Sequence, residues 1–186
     1  MSYKTQPAFV HQGDWDAESD SHPAMKWMHE YTNVFDKGDH DAIWSSGKYL
    51  TSSFQYSKSD GTIYTPGQES WEQVKQTYAN FTKYHHEPYF LVCYELPDTP
   101  GYAMLGNAWL YCNLPGSSPG TGGVTDGKGQ KWQMRVPAGF HFVYKKQGGD
   151  GDGDFRLTTT SITCDSGPVV VALLQRGVMK PADLGL

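Results

Sequence analysis

The sequence predicts an α+β protein in which helices come first and a curved antiparallel sheet then encloses a pocket. Segments with helical periodicity fill most of residues 23–81. Long segments rich in β-branched and aromatic residues, punctuated by Pro and Gly, follow over residues 84–164. The clearest of them flank the loop 97–101 (PDTPG) and predict a long β-hairpin over residues 84–114.

Length, charge and cysteine usage limit the classes of protein. The chain has 186 residues and a net charge of −5, which suits one domain with its own core and excludes nucleic acid as a partner. No apolar run could span a membrane and residues 1–20 lack a secretion signal, so we expect a cytoplasmic protein. Because Cys93, Cys112 and Cys164 are odd in number and fall in predicted strands, we expect free thiols and no metal site.

Two helices are predicted after an N-terminal arm over residues 1–22, at the start of a single domain over residues 23–186. The first begins at Pro23 and ends at Gly38, and Asp39 caps a second, shorter helix. Phe54 and Tyr56 then alternate with polar residues and predict a small hairpin. The apolar stripe of the first helix consists of Ala24, Met25, Trp27, Met28, Tyr31, Val34 and Phe35.

A third helix is predicted before the central hairpin, and further strands and a last helix after it. Residues 65–68 (TPGQ) fit a capping box, and apolar residues follow at helical spacing up to Phe81. Residues 115–131 predict a Gly- and Ser-rich loop, residues 132–145 an alternating strand with one apolar face, residues 147–154 a turn, and residues 155–164 the last strand. Pro168 opens a helix that is apolar nearly all round.

Polar groups of the central hairpin are candidates for a functional site. His85 and His86 are adjacent on a strand and point to opposite faces, so only one of them enters the pocket. His86 shares the parity of the more apolar residues and is favoured as a general base, but a one-residue change of register would favour His85. Asn107, Trp109 and Tyr111 share one parity on the second strand, and we expect them to face the pocket.

The order of these elements, together with the motifs at residues 35–41 (FDKGDHD) and 54–56 (FQY), resembles the nuclear transport factor two-like superfamily. Within it the chain looks most like the branch of scytalone dehydratase and the SnoaL-like polyketide cyclases. The resemblance covers roughly residues 23–165. It implies a cone-shaped α+β barrel, with the sheet wrapped around the N-terminal helices and an apolar helix at the C-terminus. It also implies acid–base chemistry without a cofactor.

The resemblance carries roles onto particular residues. A family histidine that takes part in proton transfer maps onto His85 or His86, and the family aspartate bonded to it maps onto Asp36. Tyr56 matches a tyrosine that polarises the substrate carbonyl through water, and Asn107 or His141 could substitute for a proton-handling group of the family that this sequence lacks. The family's second catalytic histidine has no counterpart, which leaves substrate and reaction open. The pocket walls are expected to include Met25, Trp27, Tyr31, Trp109, Phe140 and Phe142.

We therefore expect a cofactor-free lyase or isomerase of secondary metabolism that dehydrates, isomerises or cyclises a small hydrophobic or aromatic substrate. Two alternatives stay open: a non-catalytic module of the same fold that binds a small ligand or a protein, and a pericyclase that shapes its substrate without a base. The uncovered outer face of such a sheet predicts a homodimer or small homo-oligomer. The helix after Pro168 is either a lid or part of the core. His141 has the parity opposite to that of the apolar face of its strand, so we expect its side chain to point outward.

Overall fold

The elements of the chain are taken from a computed structural model, which describes residues 7–117, 123–147 and 154–185. The helices are α1 (Pro23–Phe35), α2 (His40–Ser46), α3 (Gln68–Tyr78) and α4 (Gly167–Gln175), with 3₁₀ turns at Ser19–Ser21 and Pro181–Leu184. The strands are β1 (Ala8–Gln12), β2 (Leu50–Ser57), β3 (Lys83–Glu95), β4 (Gly101–Asn113), β5 (Val124–Thr125), β6 (Lys131–Trp132), β7 (Met134–Lys146) and β8 (Phe155–Cys164). This is the predicted α+β class.

Six strands form one curved sheet in the order β1-β3-β4-β7-β8-β2. The central hairpin, β3 with β4, is confirmed, and all pairs are antiparallel except β2 with β8. That parallel edge was not predicted; a parallel pair needs a long crossover, which α3 and the intervening strands supply. The small hairpin after β2 is reduced to a single bridge between Ser57 and Ile63.

Bulges bend the sheet and make one face concave. Register shifts occur between Pro88 and Phe90 in β3 and between Val143 and Tyr144 in β7, and such irregularities increase the local bend and twist. The apolar faces of α1 and α3 pack into the concavity, where Met25 and Trp71 are almost completely buried. The predicted stripe of α1 is buried from Ala24 to Phe35, with Val34 at its margin.

Several local predictions are corrected. The arm contributes an edge strand, because Ala8–Gln12 pairs with residues 90–94 of β3. The capping box at residues 65–68 does not form: Gly67 is the N-cap of α3 at φ +97°, a value that favours glycine. The loop 115–131 contains β5, paired with β6. Residues 148–153 of the predicted turn lie outside the described residues.

The ends of the chain and the thiols complete the fold. In α4, Val169 and Leu173 are buried but Val171 is 52% exposed, so the helix covers the concavity with one side only. All three cysteines are free, as predicted, and burial raises the pKa of Cys93 to about 12. No helix in the described part of the chain is both long and apolar enough to cross a bilayer.

Candidate active site

The end of α1 places a carboxylate at an open edge of the sheet. β1 pairs only with residues 90–94, so among the described residues the first half of β3 has no neighbouring strand on that side. Asp36 follows the last residue of α1 as its C-cap. Its Oδ2 atom accepts a hydrogen bond from the backbone N–H of His86 at 3.0 Å. The carboxylate therefore takes the position of a missing strand partner and lies between the two faces of β3.

Both histidines of β3 bind this carboxylate. The distance from His85 Nδ1 to Asp36 Oδ2 is 2.9 Å, and that from His86 Nδ1 to Asp36 Oδ1 is 2.6 Å. Burial alone would raise the pKa of Asp36, but the charge of His86 and the hydrogen bonds from both rings outweigh it, and the net shift is downward. An ionised carboxylate only accepts, so each imidazole donates its Nδ1–H and leaves Nε2 for another partner.

His86 faces the concave side. Its Nε2 lies 3.0 Å from the hydroxyl of Tyr78, the last residue of α3. Desolvation raises the pKa of Tyr78 well above its usual value, so the phenol stays protonated and donates to Nε2. The rings of Phe35 and Tyr84 approach the imidazole edge-on at 5.8 and 5.9 Å. The ring is thus oriented by a carboxylate at one nitrogen and meets a hydroxyl at the other.

His85 faces the convex side. Its ring stacks on those of Trp132 and Tyr111, with centroids 6.0 and 6.4 Å away. Its Nε2 is buried, and no described residue gives it a hydrogen-bond partner. The hydrogen bond to Asp36 raises the pKa of His85, against the opposing effect of burial. The alternating face predicted for residues 132–145 therefore breaks after Trp132, which lies on the convex side and donates to Asp126.

A cavity of about 230 Å³ lies between the concave face of the sheet and the helices. His86 is the one histidine of the described lining, and that lining contains no carboxylate, lysine or arginine. Tyr78, Thr77 and Thr160, which carry hydroxyl groups, line it as well. Aromatic rings dominate the walls: Trp15, Tyr31, Phe35, Phe54, Trp71, Tyr78, Phe81, Phe140 and Phe142. The space suits an apolar molecule with few polar atoms.

The sequence-predicted wall residues divide into two groups. Tyr31, Phe140 and Phe142 line the cavity as expected. Met25 and Trp27 do not line it, because their turn of α1 is buried in the core, where Trp27 stacks on Tyr31. Tyr56 does not line it either: its hydroxyl is bonded to that of Thr77, and its ring stacks on Tyr64.

Asn107 and Trp109 lie on the convex face, opposite to the prediction. Ala108 and Leu110 face the cavity instead, so every odd-numbered residue of this part of β4 points outward. Asn107 is exposed, and the guanidinium of Arg135 lies 4.3 Å from the centroid of the Trp109 ring. His141 also has the convex parity, opposite Leu105 in the adjacent strand.

His86 points inward, as predicted, but not for the reason that the sequence suggested, because β3 contains a bulge. The sequence assigned His86 to the pocket because it shares its parity with Phe90 and other apolar residues. In the structure Tyr89 is the extra residue of the bulge, and parity reverses after it, so that Leu91 and Cys93 are the buried residues further along β3. His86 belongs to the concave face by its own register opposite Leu110.

Sequence reasoning assigned Tyr78 only to the core, and it did not identify the polar side chains of β8. Tyr78 is not part of a recognisable sequence motif, and only the tertiary structure brings the end of α3 close to His86. Cys164 and Ser166 line the cavity where β8 leads into α4, and Val169, Val170 and Leu173 add an apolar wall.

Away from the cavity, His11, Asp16 and Glu18 lie near enough to share a cation, but His11 already bonds the carbonyl oxygen of Asp14.

Comparisons with known proteins agree on the fold. No protein-family model and no curated protein sequence matches the chain. Among solved structures, Aln2 from a Streptomyces species superposes with a TM-score of 0.56 at 11% identity, covering 79% of this chain and 91% of that one. The hexachlorocyclohexane dehydrochlorinase LinA-type3 from Novosphingobium barchaimii gives 0.51 at 12% identity, covering 77% and 84%.

A third solved structure extends this agreement. A protein with a cystatin-like fold from Caulobacter vibrioides gives a TM-score of 0.50 at 7% identity, covering 79% of this chain and 90% of that one. Identities this low establish the architecture alone. The curved sheet, the helices in its concavity and these superpositions together show that the chain has the cone fold of the nuclear transport factor two-like superfamily.

Proposed function

We propose that the chain is a cofactor-free enzyme that uses the Asp36–His86 pair as a general base on a largely apolar substrate. One observation carries the proposal: His86 presents Nε2 to an apolar cavity while a buried carboxylate holds Nδ1 at 2.6 Å. A carboxylate in this position selects the tautomer that leaves Nε2 free of its proton, and it stabilises the imidazolium that forms on proton transfer. A module that only binds ligands has no need of such a pair.

The reaction that fits best starts with removal of a proton next to a carbonyl group. His86 Nε2 takes the proton, and the electron pair of the C–H bond moves toward the carbonyl oxygen. Tyr78 donates to Nε2; once substrate displaces that contact, its hydroxyl is positioned to donate to the developing oxyanion. The charge then collapses in one of three ways: a β-hydroxyl group leaves as water with the proton that His86 returns, the proton returns to another carbon, or the enolate carbon attacks a second carbonyl carbon of the substrate, whose oxygen takes the proton from His86. These outcomes are a dehydration, an isomerisation and a cyclisation.

The cavity limits the size and polarity of the substrate. A cavity of about 150 Å³ holds one benzene molecule, so the 230 Å³ found here suits two fused rings. Because the described lining contains no cation, a phosphate or carboxylate on the substrate would lack a partner. An aromatic or bicyclic ketone of natural-product type meets both conditions. The fold shared with a protein named as a dehydrochlorinase is compatible with elimination chemistry.

A panel of hydroxylated bicyclic ketones on tetralone and decalone scaffolds tests the proposal. Loss of water appears as a new conjugated absorbance, and proton abstraction alone appears as deuterium uptake next to the carbonyl in D₂O. In H86N the amide N–H replaces Nδ1–H toward Asp36 while Nε2 is removed. We expect this variant to lose about 10²–10⁴-fold in rate, with a Kd, read from tryptophan fluorescence, within a few-fold of the wild type.

His141→Asn, on the convex face, is the matched control and should keep the wild-type rate. If H86N retained turnover, His86 would not be the general base, and a pericyclase would be favoured. Binding without turnover and without deuterium uptake anywhere in the panel would favour a non-catalytic module.

A further inference from the structure

The two oxygens of the Asp36 carboxylate are held from opposite faces of the sheet. Oδ1 accepts the Nδ1–H of His86 on the cavity side at 2.6 Å. Oδ2 accepts two hydrogen bonds, one from the backbone N–H of His86 at 3.0 Å and one from the Nδ1–H of His85 at 2.9 Å. Without His85, the plane of the carboxylate would be set by one backbone N–H and by the same imidazole that the carboxylate has to orient. The donor on the convex side therefore adds an independent constraint.

We propose that His85 is a positioning residue that fixes the Asp36 carboxylate from the convex face and thereby holds the Nδ1 hydrogen bond of His86. The inference rests on the function proposed above for His86. Its basis is geometric, because the two rings bind different oxygens of one carboxylate whose side chain is only 12% exposed. Burial raises the pKa of Asp36, and the hydrogen bond from His85 is among the effects that bring it below its usual value.

His85 has no access to the reacting atoms. It is not one of the described residues that line the cavity, and its Nε2 is enclosed without a hydrogen-bond partner in the described part of the chain. The rings of Trp132 and Tyr111 stack on it at the convex face. A ring shielded in this way cannot exchange a proton with a substrate on the other side of the sheet. It acts on the cavity through Asp36.

The convex side also keeps the His85 ring in place. Trp132 stacks on it with an angle of 14° between the ring planes, and its Nε1–H donates to Asp126 at 2.8 Å. The turn that contains Asp126 is tied to β3, because the backbone N–H of Gly127 donates to Glu87 at 2.7 Å. Packing and hydrogen bonds outside a site hold its functional groups close to the productive geometry. The β5–β6 hairpin gives His85 this support.

Substitution of His85 by leucine or by asparagine separates the hydrogen bond from the packing. His85→Leu removes the donor and keeps an apolar side chain beside the aromatic rings, whereas H85N keeps an amide N–H toward Asp36. With the bicyclic ketones that the wild type converts, H85L should lose about 10–100-fold in kcat, with KM and Kd within a few-fold. H85N should recover most of that rate. His141→Leu, the same change elsewhere on the convex face, is the control and should keep the wild-type kcat.

NMR without substrate measures the same contact. At a pH high enough to leave both rings neutral, the ¹⁵N shifts of the wild type should place the proton of His85 and that of His86 on Nδ1. The Nδ1–H proton of His86 should resonate far downfield, because its hydrogen bond to a carboxylate is short. This resonance should move upfield in H85L and stay close to its wild-type position in H85N and in H141L.

The proposal fails if wild-type His85 carries its proton on Nε2, a result that needs no variant to fold. It also fails if H85L leaves the His86 proton resonance in place. Equal loss of kcat in H85L and H85N, or a lower Tm in both with the wild-type kcat, would indicate a role in folding alone and overturn it. The NMR result is independent of catalysis: an upfield shift in H85L together with full activity of H86N would refute the proposed function alone.

Discussion

Replacement of Asp36 by asparagine should destabilise the protein at neutral pH. Three donors converge on the carboxylate: His85 Nδ1–H, His86 Nδ1–H and the backbone N–H of His86, at 2.9, 2.6 and 3.0 Å. An asparagine side chain has one acceptor oxygen, and its NH₂ group would face a donor in place of the second oxygen. At least one N–H at this buried edge of β3 is then left without an acceptor.

The magnitude follows from the kind of hydrogen bond lost. Hydrogen bonds to a charged group contribute about 1.5–3 kcal/mol each, and an unpaired buried donor costs about 1–3 kcal/mol. The side chain of Asp36 is 12% exposed, so solvent screens these contacts only weakly. Desolvation of the wild-type carboxylate offsets part of the gain. We expect a net loss of about 3 kcal/mol in the free energy of unfolding, or about 6–12 °C in Tm for a chain of this size.

The pH dependence of this loss gives a second, independent signature. The folded pKa of Asp36 lies below its usual value of 3.8, so its contribution is complete above that value and is lost as the pH falls through the folded pKa. The folded pKa of His85 lies above its usual 6.5, so its contribution is complete below 6.5 and is lost as the pH rises through the folded pKa. The deficit of D36N should therefore be greatest between these two limits.

Urea denaturation at a series of pH values, followed by tryptophan fluorescence, measures the difference. Asp41→Asn is the matched control: its carboxylate pairs with Lys75 at 2.8 Å but is 86% exposed, and its loss should leave the stability close to that of the wild type. The reasoning would be refuted if D36N were as stable as the wild type at pH 6, or if its deficit remained undiminished well below pH 3.8.

Three further predictions concern the walls of the cavity and the outer face. Gly106→Ala should lower stability by about 1–3 kcal/mol in urea titration, since a Cβ there would lie 2.5 Å from Phe90 O and 2.7 Å from Phe140 Cζ; unchanged stability would contradict this packing. A chain ending at Gly167 should stay folded but bind the bicyclic ligands of the panel at least tenfold more weakly, about 1.4 kcal/mol, because α4 supplies part of the cavity wall. Unfolding, or undiminished affinity, would rule out α4 as a lid. Light scattering at micromolar concentration should give twice the 20.7 kDa of one chain, because Val10 and Leu105 are 55% and 42% exposed on the convex face; a monomer mass would contradict the predicted dimer.

Local patterns in the sequence were sufficient for most of the elements. The period of α1, the capping of α2 by Asp39 and the PDTPG loop between β3 and β4 are short-range signals, and the structure contains each element where they occur. The neighbourhood of Asp36 and the two histidines followed from a family resemblance. Residue spacing alone could not bring the end of α1 to the edge of β3, because that contact spans about fifty positions of the chain.

The assignment of side chains to the concave and convex faces of the sheet shows what such short-range signals cannot predict. Period-two reasoning placed Asn107 and Trp109 inside, but their neighbours Ala108 and Leu110 face the cavity, which puts both on the convex side. In β3 the bulge reverses the parity on which the choice of His86 rested. A single inserted residue reverses the direction of every later side chain, and nothing in the local sequence marks Tyr89 as that residue. Likewise, the alternation of side chains along a strand predicted that only one of the two adjacent histidines would belong to the site, whereas both bind Asp36.

By itself, then, the sequence determined the α+β class, the order of the elements and the pairing of the central hairpin, because these depend on hydrophobic period, caps and turns within a few residues of one another. Only the tertiary structure decided that Asp36 binds both His85 and His86, that Tyr78 meets Nε2, and that α4 forms a wall of the cavity. Each of these depends on the open edge of β3 and the curvature of the sheet. Both are products of packing between distant segments, and no local pattern encodes them.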